Sequence, residues 1–270
     1  MLDKILNTAK DFVVLGKSKE DKIGFAFPFE GDIARDYYKK TIANAKENNL
    51  EGFDGSWEFD DKTGLIKGSS TFLALKLDEQ IRKDGLWIPT PKQAMLLDKK
   101  EKLSNDAYRD YGIVIYSEAK PNKEVAKRLI QEANKRGWKL PILAPFKALD
   151  LIKLDLINTE AEISFKKDVE GIITGEEARQ YLDKELDYQY DSGACGLGRY
   201  SDGSWDASGY GFDDSNTDGR VDFVCGEATH SDLKEAHLGL LKRQHKSQID
   251  KLLIERDKKQ ADFEKSLKNY

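Results

Sequence analysis

The sequence predicts an α/β or α+β fold, with a mixed sheet that includes a βαβ unit, then a Gly/Asp-rich β region and a long C-terminal helix. Three observations predict it. The apolar runs IGFAFPF (23–29), YGIVIYS (111–117) and WKLPILAP (138–145) are short and bounded by turn residues, as buried strands are. Segments with helical spacing lie between them, and strand–helix alternation is the pattern of layered α/β domains. Residues 187–227 then change character, with eight Gly and nine Asp/Glu against two Arg.

Residues 2–15 read as a short amphipathic helix. Strand 23–29 ends at Pro28, and Asp32 is positioned to cap a helix carrying Ile33, Tyr37, Tyr38, Ile42 and Ala45. SWEFDDKTGLIKG alternates apolar and polar residues about a turn at 60–64, a hairpin signal. Ser69 or Ser70 caps the next helix, which carries Phe72, Leu73, Leu75, Leu77 and Ile81 and stops at Gly85. LWIP is a short strand, and Thr90 with Pro91 opens another helix.

Strand 111–117, helix 121–137 and strand 138–145 spell a βαβ unit, which implies a parallel pair and a right-handed crossover. Pro141 places the second strand toward a sheet edge. Residues 148–158 and 161–167 read as two further strands, and 175–186 as a helix entered at Gly175. The expected organisation is an α/β layer domain over 1–170, a helix plus metal-loop region over 171–230, and a C-terminal helix over 231–270 capped by Ser231. Leu238, Leu241, Ile249, Leu252 and Leu253 form its packing stripe, but 255–260 holds no apolar residue, so a full heptad coiled coil is not expected.

Net charge is −5, which gives no whole-chain reason to expect a nucleic-acid partner. No apolar run has the length of a bilayer span. Two cysteines in 270 residues make no disulfide framework, so a reducing cytoplasm is the expected compartment.

The most specific pattern is the nine-residue stretch 214–222, DSNTDGRVD. Calcium takes six to eight oxygens, and a tight loop supplies them from alternate side chains, with glycine at the turn and a carbonyl one residue later. Asp214, Asn216 and Asp218 fill the first three positions, Gly219 the turn, Arg220 the carbonyl and Asp222 the ninth position, with Glu227 close behind. The stretch resembles the calcium loop shared by EF-hands, dockerins and integrin-type propeller hairpins. It departs from an EF-hand at its twelfth position, Cys225, and in the glycines before it. The resemblance therefore implies a Ca²⁺ ion on a β-turn that holds shape and does no catalysis. An Asp/Asn/Gly turn without an ion explains the same residues.

Cys195, Cys225, His230 and His237 are candidate zinc ligands, though without the close ligand pairs of zinc modules. Glu30, Asp32, Ser117 and Glu118 follow strands expected to be parallel, where open α/β sheets place their sites. They carry the alternative reading, a metal-dependent hydrolase-like enzyme. The preferred expectation is a non-enzymatic, calcium-stabilised structural or interaction protein that meets a protein partner or a second copy through its C-terminal helix, with no membrane or nucleic-acid partner.

Overall fold

The computed structural model describes residues 11–17, 22–47, 57–100, 102–103, 107–155, 160–182, 193–200, 204–207, 212 and 215–267. Predicted helix 2–15 lies mostly outside these residues. Its end is a strand, β1 (Val13–Lys17), paired antiparallel with β2 (Ile23–Pro28). Val13 and Val14 lose less rotamer freedom in a strand than in a helix, and β2 offers a free edge to pair with.

Local chemistry explains the elements that follow. Helix α1 (Gly31–Glu47) leads to a hairpin of β3 (Glu58–Asp60) and β4 (Leu65–Ser70). The hairpin closes through the Gly64 amide donating to the Asp60 carbonyl at 2.7 Å, with Gly64 at positive φ. The Ser70 hydroxyl accepts from the Leu73 amide and starts α2 (Thr71–Arg82). After β5 (Leu86–Trp87), α3 (Pro91–Lys99) begins with a capping box between Thr90 and Gln93.

The next unit departs from expectation. Strand β6 (Arg109–Ile115), α4 (Lys123–Lys135) and β7 (Ile142–Pro145) follow in order, but β6 and β7 run antiparallel, with Gly112 opposite Pro145 and Ile115 opposite Ile142. The expected parallel βαβ pair is corrected. Six residues separate α4 from β7 and can span about 20 Å when extended. That equals the length of the helix, about 20 Å for 13 residues, so the chain has the reach to return to the end of β6 that it left. The unbroken apolar run of β6 reflects cover on both faces, which the sequence pattern reads as parallel. Tyr111, Ile113 and Ile115 join the main core, while Val114 and Tyr116 join a second cluster.

Strand β7 is not at an edge either. A 3₁₀ turn (Phe146–Ala148) leads to the antiparallel pair β8 (Leu149–Asp155) and β9 (Glu160–Phe165). Then β10 (Ile173–Thr174) pairs with the free side of β7, and the one-turn helix α5 (Gly175–Arg179) follows. In the last third, β11 (Ala194–Arg199) joins β6, β12 (Trp205–Asp206) joins β11, β13 (Ser215–Val221) joins β4, and β14 (Phe223–Ala228) inserts between β2 and β5. The sheet orders are β1-β2-β14-β5, β10-β7-β6-β11-β12, β13-β4-β3 and β8-β9. Their strand pairs are antiparallel, and an isolated parallel bridge joins Tyr108 to Gly219. Strands C-terminal to residue 170 thus complete sheets begun before it.

Helix α2 lies at the centre and contacts α1, β4, β5, β6, β8 and the 3₁₀ turn. Phe72, Leu73, Leu75, Leu77 and Ile81 are buried on it, and so is Asp78. One Asp78 oxygen accepts from the Ile88 amide at 2.7 Å. The other lies 2.8 Å from Nε of Arg82, at an angle outside hydrogen-bond geometry. Burial pushes the Asp78 carboxyl up to about 7, against the opposing pull of Arg82.

Because this folded-state value lies above the unfolded one, the contribution of Asp78 to stability is fully present below about pH 4 and fades as pH rises toward 7, by at most about 1.4 kcal/mol per pH unit. Asp78→Asn removes that dependence. The difference in urea stability between the native protein and this variant should therefore fall from pH 4 to 7, and a constant difference would refute the assignment.

Candidate functional site

The expected calcium loop forms part of a strand. Residues 215–221 are β13, with Asn216 opposite Ser69 and Arg220 opposite Lys67. Four steps along β13 match two along β4, so the strand bulges between 216 and 220, where an Asp- and Gly-containing segment tolerates irregular backbone. Asp214 lies outside the described residues, as do the side chains of Asn216 and Asp218. The Arg220 amide donates to the Tyr108 carbonyl at 2.9 Å.

Asp222 is the single residue between β13 and β14, and a buried cation takes its carboxylate. Nε of Arg109 donates to both Asp222 oxygens at 3.0 and 2.9 Å, and Nη2 donates to Oδ2 at 2.6 Å. The remaining nitrogen, Nη1, donates to the Ala107 carbonyl at 3.0 Å. Side-chain exposure is 3% for Arg109 and 14% for Asp222. The planar guanidinium matches the carboxylate with two roughly parallel N–H groups, one to each oxygen. The Asp222 carbonyl also accepts from the Phe29 amide at 2.8 Å.

Glu227 sits in β14 opposite Gly24. It lies about 16 Å along the strand from Asp222 at the usual rise of an extended chain, so the two carboxylates do not meet at one ion. Among the described residues, no group of three or more His, Cys, Asp or Glu is gathered as metal ligands.

The zinc candidates are dispersed. Cys195 lies in β11 within the second core cluster, and Cys225 lies in β14 within a third cluster with Val13, Ala26, Leu97, Leu103 and Phe223. Both are buried free thiols, and burial raises the pKa of Cys225. His230 and His237 are exposed at the root of the last helix, and His237 meets Phe12 edge-on.

The carboxylates nominated for the enzyme reading are also separated in the fold. Glu30 and Asp32 follow β2 in the four-stranded sheet, while Ser117 and Glu118 follow β6 in the five-stranded one. Asp32 pairs with Arg35 at 3.0 Å, and the Ser117 hydroxyl accepts from the Ala119 amide. With antiparallel strands at both places, the strand-end rule for parallel sheets loses its premise. A surface cleft of about 370 Å³ lies nearby, lined by Arg35, Tyr38, Lys39, Phe59 and Asp61. Arg35 is held there by Asp32 and Asp61 and stacks over Phe59.

Sequence reasoning missed three charged pairs. Arg109–Asp222 spans 113 residues and leaves no local signal. Arg199, also buried, pairs with Asp98 at 2.7 Å across a similar gap in the chain. Asp78 and Arg82 are four apart on a helix otherwise rich in apolar residues, and that spacing was a readable sign. No protein-family model matches the chain, and neither curated proteins nor solved structures give a match.

The Arg109–Asp222 pair yields a direct prediction. Asp222→Ala strands a buried guanidinium and should cost about 3–5 kcal/mol, whereas Arg109→Met with Asp222→Leu should cost much less than the sum of the single changes. Urea unfolding of the double-mutant cycle measures this. Additive losses would show that the pair does not act as a unit.

Proposed function

We propose that the protein is a non-enzymatic interaction protein, a layered body that carries a protein-binding arm. The observation that supports this reading is helix α6 (His230–Leu267). Its 38 residues reach about 57 Å. The Thr229 hydroxyl accepts from the Asp232 amide, and Asp232 accepts from Thr229 in return, so Thr229 and not Ser231 caps it. Leu233, Ala236 and Leu240 are buried at its root.

Residues 242–262 are exposed, including Ile249 at 57%, Leu252 at 64%, Leu253 at 41% and Ile254 at 69%. Helices in water depend on packing for most of their stability, and contiguous exposed apolar residues mark interaction surfaces. Among the described residues, no helix is long and apolar enough to cross a membrane.

The calcium proposal belongs to the same reading, in a narrower form. Asp214, Asn216, Asp218 and the Arg220 carbonyl are its donors, around the bulge of β13, while Asp222 serves Arg109. An ion there would stabilise the folded state and take no part in chemistry. Calcium at a hundredfold over its Kd adds about 2.7 kcal/mol.

Two measurements test these claims. Melting in excess calcium should exceed melting in EGTA, and Asp214→Ala should abolish the difference. Equal melting in the two buffers would remove the ion. For the arm, the native protein and an Ile249→Lys, Leu252→Lys variant are compared by quantitative affinity purification, with copies of the chain itself counted among interactors. An interactor lost from the variant supports the arm, and identical sets from a folded variant reject it.

A further inference from the structure

We infer that Arg82 is a proton-controlled latch between helix α2 and strand β8, shared with Asp78 while that acid is ionised and released to Asp150 when it is protonated. The latch is independent of the arm and of an ion at β13.

The first support is the position of the guanidinium between two acids on two elements. On the α2 side, Nε of Arg82 lies 2.8 Å from Oδ2 of Asp78 and donates to the Asp78 carbonyl at 3.3 Å. On the β8 side, Nη2 donates to the Leu149 carbonyl at 3.4 Å, and Nη1 stands 4.0 Å from Oδ1 of Asp150. Both contacts toward β8 are long, so a short movement of the side chain tightens the two together.

The second support is the unlike surroundings of the two acids. The Asp78 side chain is fully buried, its Oδ1 accepts the Ile88 amide, and its Oδ2 accepts no hydrogen bond. A carboxylate so placed is strongly disfavoured in its charged form, and burial carries its pKa up to about 7. Burial raises the Asp150 carboxyl too, but that side chain is half exposed and has Lys166 at 3.9 Å as a second cation. Asp78 therefore gives up its charge first as pH falls, and Arg82 follows the charge that remains.

The third support is that the surrounding charges are committed elsewhere. The ionisable groups acting on Asp78 are Arg82 and Glu79 of its own helix, Lys147 of the 3₁₀ turn and the buried Cys225 thiol of β14. Glu79 accepts from the Leu151 amide at 3.3 Å and from Lys76 at 3.0 Å. Lys147 pairs with Glu170 at 3.2 Å and lies 4.1 Å over the Trp87 ring. From the other elements packed on α2, Tyr37 of α1 turns to Asp84, Lys67 of β4 to Asp60 and Arg109 of β6 to Asp222. Glu79 and Arg82, three apart on one helix face, both reach β8, so release of Arg82 tightens a seam that Glu79 already holds.

NMR titration of the full chain from about pH 5 to 9 tests the latch. The Asp78 carboxyl carbon should titrate with a midpoint near 7. The side-chain couplings of Arg82, which report its rotamers, should change with the same midpoint. Asp78→Asn should abolish the Arg82 step. Asp150→Asn, at a half-exposed site, should move the Asp78 midpoint to lower pH, because Arg82 then has one acid to serve. Couplings that stay fixed while Asp78 titrates would mark a static ion pair and overturn the latch. An Asp78 carboxyl with no step in this range, or a midpoint unchanged in Asp150→Asn, would overturn it as well.

Discussion

The body depends on one buried contact, the guanidinium of Arg109 against the carboxylate of Asp222. Asp222 is the lone residue separating β13 from β14. The first of these strands completes the three-stranded sheet and the second is an inner strand of the four-stranded sheet. Arg109 opens β6, the middle strand of the five-stranded sheet. The pair therefore holds three sheets in one relation at the point where the chain passes between them. Water reaches neither partner well, so attraction and desolvation are both large. Such a pair gives little net stabilisation over apolar residues of the same shape, yet removing half of it is costly. Its effect is to specify which strands meet.

Helix α2 imposes the second constraint. It is buried around most of its circumference, so its one buried acid cannot turn to solvent. Asp78 takes the amide of Ile88 and the cation four residues on, and Arg82 in turn reaches the Leu149 carbonyl. The helix is thus keyed to β5's exit and to the start of β8. An apolar residue at 78 would pack there but leave the Ile88 amide and the Arg82 guanidinium without this partner.

The arm obeys different physics. Up to Leu240 helix α6 is part of the core, and residues 242–262 lie exposed to water. Substitutions in its exposed part should leave the stability of the body nearly unchanged. Strand β11, a described part of the Gly/Asp segment, packs closely against what surrounds it. Tyr108 shows how closely, since its hydroxyl fills the space that a Cβ on Gly198 would need, and its ring meets Tyr200 edge-on.

Elements were legible in the sequence wherever their cause is local. Thr90 and Pro91, Ser70, the 60–64 turn and the apolar run of β2 act over a few residues and form where the pattern put them. Strand β6 spans Arg109–Ile115 and so begins two residues before the expected strand 111–117. The prediction failed where the cause was distant. A strand's side chains do not encode which way its neighbour runs, so β6 and β7 read as parallel until the return of the chain along 136–141 made them antiparallel. The acidic pattern at 214–222 likewise shows oxygens without showing what they bind. The sequence by itself determined the oxygens, the caps and the periods, because these depend on neighbours in the chain. Only the tertiary structure decided strand direction, the partner of Asp222 and the outward face of α6, because each depends on groups that folding alone brings together.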